Sequence, residues 1–103
     1  MNLQDLHNLT IQWGEDRNFY NPEHGTTALK QFAKLVEEVG EIAGNLSRGR
    51  DIKDDIGDCL VVLTGLAKLS NTSLDKCWEV AWNDIKDRKG AMINGIYVKE
   101  SDL

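Results

Sequence analysis

The sequence predicts an all-α fold, a four-helix bundle followed by a short C-terminal hairpin arm. Four successive stretches carry apolar residues at helical spacing, and short runs of turn-forming residues separate them. After Lys89-Gly90 the pattern changes to two apolar runs around an Asn-Gly pair. The chain has 103 residues, which predicts one domain over residues 1–103.

Helices 1 and 2 are predicted on either side of the loop 21–25, which contains the only proline. Helix 1 is expected over about residues 3–19. Helix 2 is expected to be capped by Thr26 or Thr27 and to end near Ser47, before a glycine. Its apolar stripe is the clearest periodic signal in the chain and comprises Leu29, Phe32, Leu35, Val36, Val39, Ile42 and Leu46.

Helix 3 is predicted to begin at an N-cap formed by Asp51 and to continue beyond Leu66. Its second half is apolar on almost every side. One partner helix cannot cover such a surface, which predicts that helix 3 is the centre of the bundle or of a subunit interface.

Helix 4 is predicted to begin with a capping box formed by Thr72 and Asp75. Its inner side is expected to carry Trp78, Val80 or Ala81, Trp82 and Ile85. The arm that follows should be a hairpin with a type I′ turn at Asn94-Gly95, because both residues accept positive φ angles. Since isolated hairpins are marginal in water, the arm must pack on its own bundle or on a neighbour.

The composition argues against nucleic-acid-binding, secreted and membrane-spanning classes of protein. A net charge of −5 argues against binding a nucleic-acid polymer. The N-terminal residues lack the basic and apolar segments of a signal peptide, and no apolar run is long enough to cross a membrane. A cytoplasmic protein is expected, with Cys59 and Cys77 as reduced thiols. Because a chain this short has a marginal core, we expect a homodimer or homotetramer.

Two acidic pairs on successive helices are the most informative feature. Glu38 and Glu41 are three residues apart in helix 2, as are Asp55 and Asp58 in helix 3. This spacing places each pair on one helix face, and antiparallel neighbouring helices bring the two faces together. Four carboxylates beside a core need compensating cations, and Mg²⁺ prefers such oxygen ligands. Alternatively, the acidic residues form a solvated surface that complements the helix dipole.

The segment Lys34–Ala43, followed by Asp55–Leu60, resembles the EExxE…ExxD pattern of MazG-type nucleotide pyrophosphohydrolases. These enzymes belong to the all-α nucleoside triphosphate pyrophosphatase superfamily, together with dimeric dUTPases and phosphoribosyl-ATP pyrophosphohydrolases. The resemblance covers residues 3–89. One departure is Asp55, because many members carry Glu at this position.

The resemblance implies a MazG-type fold and Mg²⁺-dependent hydrolysis of (deoxy)nucleoside triphosphates to monophosphate and pyrophosphate, with Mn²⁺ as a substitute metal. It implies that a metal-activated water attacks the α-phosphorus. The implied metal ligands are Glu38, Glu41, Asp55 and Asp58. Glu37 would be an accessory ligand or a water-orienting base.

The resemblance also implies that Asn83, Lys86 and Lys89 contact the substrate phosphates. Alternatively, these residues only complement the helix dipole at a C-terminus. Lys34 is either a phosphate contact or an intrahelical salt-bridge partner. Trp13 is the candidate side chain that stacks on the base. Alternatively, Trp13 is a core residue. The base contacts beside it would be Arg17 or Asn18, whereas Trp78 and Trp82 are expected in the core or an interface.

Two other functions remain open. One is a specialised relative, a dUTPase-like or phosphoribosyl-ATP enzyme. The other is a non-catalytic helical module that binds a partner protein through the apolar side of helix 3 and the C-terminal arm.

Overall fold

The computed structural model describes all 103 residues and has four α-helices and one antiparallel hairpin, which confirms the predicted helical class. None of the helices combines the length and apolar character needed to cross a membrane. The elements are α1 (Leu3–Asp16), α2 (Ala28–Ser47), α3 (Lys53–Leu69), α4 (Leu74–Ile85), β1 (Gly90–Ile93) and β2 (Ile96–Lys99). Short 3-10 turns occupy Pro22–His24 and Glu100–Asp102.

Capping chemistry sets the ends of the first two helices. Thr27 caps α2, since its hydroxyl accepts a hydrogen bond from the Lys30 amide at 3.1 Å. This selects one of the two predicted threonines. Helix α1 ends at Asp16, earlier than predicted, because Asn18 adopts a left-handed conformation with φ 63°. Asparagine tolerates this conformation better than most residues, and the helix cannot continue through it.

The predicted caps of α3 and α4 are displaced by one residue. Ile52 is the N-cap of α3, while the Asp51 carboxylate accepts a hydrogen bond from the Lys53 amide at 3.0 Å. Ser73 is the N-cap of α4 and makes no side-chain cap hydrogen bond. The predicted Thr72–Asp75 box is therefore wrong, because the later start places Asp75 one position too early in the helix to close it.

Helix α3 is the centre of the fold, as the sequence predicts. The other three helices pack chiefly against it. Only eight of the 103 residues are buried, and six of them belong to α3. These six are Asp55, Cys59, Val62, Thr64, Gly65 and Ala67.

The apolar faces of α2 and α4 are more exposed than the sequence predicts. In α2, only Leu35 and Ile42 of the predicted stripe are half-buried, and the other members are exposed. In α4, the predicted inner side is exposed, including Trp78 and Trp82. A core position for these two tryptophans is therefore wrong within the single chain. The reason is that each outer helix contacts α3 along one flank, and the helices do not close around a common core.

The C-terminal hairpin forms as predicted. Asn94 and Gly95 have φ angles of 51° and 81°, the positive values of a type I′ turn, and Ile93 pairs with Ile96 beside it. The hairpin packs mainly against the terminal turn Glu100–Asp102 rather than against the helices. Its apolar side chains consequently remain largely exposed.

Candidate metal and nucleotide site

Three carboxylates meet between α2 and α3. One oxygen each from Glu38, Glu41 and Asp58 lies within 4.8 Å of the others. The i, i+3 spacing sets Glu38 and Glu41 on the same side of α2, and the close packing of α2 on α3 brings Asp58 to them. The three residues form what we call the acidic cluster.

The Glu38 side chain lacks enough hydrogen-bonding partners for its burial. Its residue is only 7% exposed. One carboxylate oxygen lies 3.4 Å from the Lys34 ammonium, whereas Oε2 is buried without any hydrogen-bond partner. A buried unpartnered carboxylate oxygen costs free energy and requires an explanation in a native fold. A hard divalent cation fits, because it would use this oxygen together with those of Glu41 and Asp58.

The electrostatics of the acidic cluster favour a cation. Burial raises the pKa of Asp58, and the neighbouring charges of Asp54, Glu38 and Asp55 raise it further. The negative charge of Glu38 is the main cause of the raised pKa of Glu41. Both carboxylates are thus harder to ionise than isolated ones, which is the expected result when like charges share a partly desolvated space.

Asp55 lies beside the acidic cluster rather than in it. The residue is 9% exposed, and its Oδ2 accepts a hydrogen bond from the Asn45 side-chain amide at 2.8 Å. The structure therefore brings together three of the four predicted metal ligands and gives Asp55 a partner on α2. Asn45 was missed by the sequence analysis, although it lies seven residues after Glu38 on the same helical face.

Glu37 and Lys34 lie at the solvent side of the acidic cluster. The Glu37 side chain is 59% exposed and lies 3.4 Å from the Lys34 ammonium. Lys34 thus makes the intrahelical salt bridges considered above, to both Glu37 and Glu38. These bonds raise the pKa of Lys34, so it remains a cation at neutral pH. Because Lys34 also lines the adjoining cavity, the salt-bridge and phosphate roles are compatible.

A cavity of about 370 Å³ adjoins the acidic cluster. Its wall combines two carboxylates and one cation with aromatic and aliphatic side chains. This combination suits a ligand with a charged end and an apolar, planar end. The lining residues are Trp13, Phe19, Tyr20, Gln31, Lys34, Glu38, Asp58, Val61, Val62 and Gly65.

Trp13 lines this cavity, as expected for a stacking platform, and its residue is 44% exposed. The Arg17 guanidinium lies 4.6 Å from the Trp13 ring centroid, so it occupies one face of the ring. The Phe19 ring lies 5.0 Å from that of Trp13 at 47°. Asn18 is not among the lining residues, and its left-handed backbone instead forms the turn after α1.

Tyr20 is a lining residue that the sequence analysis missed. Its ring packs against Gly14 of α1 and Gly65 of α3, where a methyl group on Gly14 would come within about 2.5 Å of the hydroxyl. Burial raises the pKa of the Tyr20 hydroxyl. The two glycines were the available sequence signal, because a helical glycine often marks a close approach. In contrast, a methyl group on Gly40 or Gly57 would meet nothing within 4 Å.

The predicted phosphate-binding residues at the end of α4 and just after it do not line the cavity. Asn83, Lys86 and Lys89 are exposed, and none of them lines it. Nearby, Arg88 is paired with Asp84 at 2.7 Å. Lys34 is therefore the cation that the single chain supplies to the cavity.

Comparisons with known proteins identify a phage relative. An uncharacterized 18.2 kDa protein from the rep-hol intergenic region of Haemophilus phage HP1 (strain HP1c1) is 46% identical over 68 residues, or 64% of this chain. The chain spans about 40% of the length of that relative. No family model and no solved structure matches the chain. The proposed function therefore rests on the geometry and chemistry of the site.

Proposed function

We propose that this protein is a Mg²⁺-dependent pyrophosphohydrolase that converts nucleoside triphosphates to monophosphate and pyrophosphate. The observation that carries the proposal is the buried, unpartnered Oε2 of Glu38 within three converging carboxylates beside an aromatic cavity. The resemblance of the acidic motifs to MazG-type enzymes specifies the reaction.

Glu38, Glu41 and Asp58 would hold the metal, with Mn²⁺ as a substitute for Mg²⁺. When bound, the metal would activate water and neutralise charge on the phosphates. The raised pKa values of Glu41 and Asp58 support this assignment, because Glu38 contributes to both shifts and a bound cation would offset its negative charge. Asp55, fixed by Asn45, is close enough to the acidic cluster to strengthen its negative potential.

The remaining residues bind and orient the substrate in this proposal. Trp13 stacks on the base at the wall of the cavity, and Arg17 lies over one face of its ring. Lys34 moves from Glu37 and Glu38 to the phosphates. The water oxygen forms a bond to the α-phosphorus as the bond to the bridging oxygen of the leaving pyrophosphate breaks. Glu37, which is exposed and is released when Lys34 moves to the phosphates, accepts the water proton.

Hydrolysis of a panel of triphosphates, with Mg²⁺ or with excess EDTA, tests the proposal. The panel contains the common ribo- and deoxyribonucleotides, dUTP and phosphoribosyl-ATP, and the products are resolved by chromatography. We expect Mg²⁺-dependent formation of monophosphate and pyrophosphate. Turnover confined to dUTP or phosphoribosyl-ATP would identify a specialised enzyme. Release of diphosphate and phosphate, or no turnover at all, would contradict the proposal.

The exposed apolar side chains favour a second candidate, a non-catalytic helical module that binds a partner protein. Thermal unfolding with and without Mg²⁺ separates the two functions. A metal site raises the unfolding temperature in Mg²⁺, because the cation binds only the folded state, whereas an interaction module does not respond. The hydrolase proposal includes a cytoplasmic location, where nucleoside triphosphates and Mg²⁺ occur together.

A further inference from the structure

The outward face of α2 carries a continuous apolar seam. We call it the α2 seam, and its residues alternate at spacings of three and four along the helix, the a and d positions of a heptad repeat. Five of its six side chains are large, and these residues are 52–76% exposed. The six residues are Leu29, Phe32, Val36, Val39, Ala43 and Leu46.

No helix of the same chain covers the α2 seam. Helix α2 packs on α3 through a different face, which includes Leu35, Glu38 and Ile42. Five turns of helix, about 26 Å long at 1.5 Å per residue, thus present an apolar stripe to water. Sustained a/d patterns of this kind are typical of helices that pair with another helix.

The surface area of the chain indicates how much is left uncovered. Its accessible surface is 7856 Å², whereas a folded monomer of 11.6 kDa is expected to expose about 5,800 Å². The excess is about 2,000 Å² per chain, or about 4,000 Å² for two chains. A stable homodimer interface buries about 2,000–5,000 Å² summed over both chains, so the excess lies in this range. The radius of gyration of 16.5 Å also exceeds the roughly 13 Å expected for this length.

The positions that flank the α2 seam allow a second copy to approach. They are uncharged, so two copies meet without like-charge repulsion, and three of them are small. A methyl group added at one of them, Gly40, would meet nothing within 4 Å. The flanking residues are Ala33, Leu35, Gly40, Ile42 and Ser47.

We propose that α2 pairs with α2 of a second copy of this chain in antiparallel order, around a two-fold axis between Val36 and Val39. This order packs Phe32 against the partner subunit's Ala43, so that a large side chain meets a small one. A parallel pair would instead place Phe32 against its own copy and leave two alanines facing each other. Protein interiors favour the first arrangement, because large and small residues together fill space without voids.

The helix dipoles favour the same order, because they oppose each other in the antiparallel pair. The acidic cluster faces α3, so the pairing leaves it free and the inference is independent of the hydrolase proposal.

Sedimentation of the full chain and of two variants tests the pairing. The chain is expected to be a dimer at micromolar concentration. Val39→Glu should weaken the dimer at least about tenfold, since it introduces two charges into the buried seam. The matched control is Val80→Glu on α4, which also replaces an exposed valine and should leave the dimer intact. A monomeric native chain, or equal effects of the two variants, would overturn the proposal. Circular dichroism establishes that each variant keeps its helices.

Disulfide cross-linking tests whether the two α2 helices run antiparallel, and it introduces no charge into the α2 seam. Leu29→Cys and Leu46→Cys are made separately in a Cys77→Ser background, because Cys77 is exposed. On mild oxidation, a mixture of the two variants should form a disulfide-linked dimer, and each variant alone should not. Cross-linking of each variant with itself would identify a parallel pair. A native dimer that forms no cross-link in the mixture would identify an interface on another face. Either result would overturn the proposal.

Discussion

The two faces of α2 differ in what the rest of the chain covers. The face toward α3 buries a charged residue, Glu38, and packs Asn45 against Asp55. The face toward solvent exposes Leu29, at 76%, and the rest of the α2 seam. In a surface helix of a globular protein, the apolar stripe normally faces the core of the same chain.

Each face is unfavourable for the chain alone, and each therefore indicates a missing component. A buried carboxylate needs a cation or a donor, which supports the metal proposal. A long exposed apolar stripe needs a covering surface, which supports the pairing proposal. The burial pattern of α2 is therefore best explained by a metal-bound, paired form of the chain.

Neutralising the inward face should have the largest effect. Glu38→Gln or Asp58→Asn is expected to reduce the rate of triphosphate hydrolysis by at least about 10²-fold, because each change removes a charge that holds the metal. Glu79→Gln on the exposed side of α4 is the matched control and should retain full activity. Near-normal hydrolysis by either cluster variant would contradict the ligand assignment.

An apolar substitution at the same position should stabilise the metal-free protein. In EDTA, Glu38→Met is expected to increase the free energy of unfolding by about 1–3 kcal/mol, since a buried carboxylate with one unpartnered oxygen is replaced by an apolar side chain of similar length. Urea denaturation measures the change, and Glu79→Met is the control. A loss of stability in Glu38→Met would mean that the charge of Glu38 is already well compensated, against the present account.

The contact between Asn45 and Asp55 gives a smaller and separable effect. Asn45→Ala should lower the free energy of unfolding by about 1–2 kcal/mol, because the buried Asp55 carboxylate loses its hydrogen-bond donor. The additional change Asp55→Ala in the same chain should cost less than it does alone. Purely additive effects in this double-mutant cycle would show that the two side chains are not coupled.

The smallest expected effect is on the pH dependence of metal stabilisation. Because the pKa values of Glu41 and Asp58 are raised, both groups take up protons sooner than ordinary carboxylates as the pH falls. Protons then compete with Mg²⁺, so the increase in unfolding temperature caused by Mg²⁺ should shrink as the pH falls from neutral toward the ordinary carboxyl pKa range of about 4. In EDTA, the free energy of unfolding should fall as the pH rises. Carboxyl groups with raised pKa values bind more protons in the folded state than in the unfolded state, so the metal-free protein is more stable at low pH. An Mg²⁺ effect that is constant across this range would argue against binding by these carboxylates.

The sequence predicts structural features that depend on residues close together in the chain. Helical periodicity alone identifies the four helices, and i, i+3 spacing places Glu38 and Glu41 together. The hydrogen bond from Asn45 to Asp55 was not predictable in this way, because it depends on the register between α2 and α3. The same limit explains Tyr20, whose position depends on glycines in two different helices.

The burial of apolar stripes was the weakest part of the sequence analysis. Periodicity shows that Phe32 and Val39 share a helix face, but it does not distinguish a face covered by the same chain from one covered by another. In α2 the two apolar faces lie side by side, with Leu35 and Ile42 toward α3 and the α2 seam outward. A heptad count along α2 was the signal that separates them.

Calorimetric titration of Mg²⁺ into the native chain and into Glu38→Gln measures binding of the cation that the inward face of α2 is proposed to hold. We expect saturable binding to the native chain and at least about tenfold weaker binding to the variant. Binding of equal strength to both proteins, or no binding to the native chain, would contradict the metal proposal.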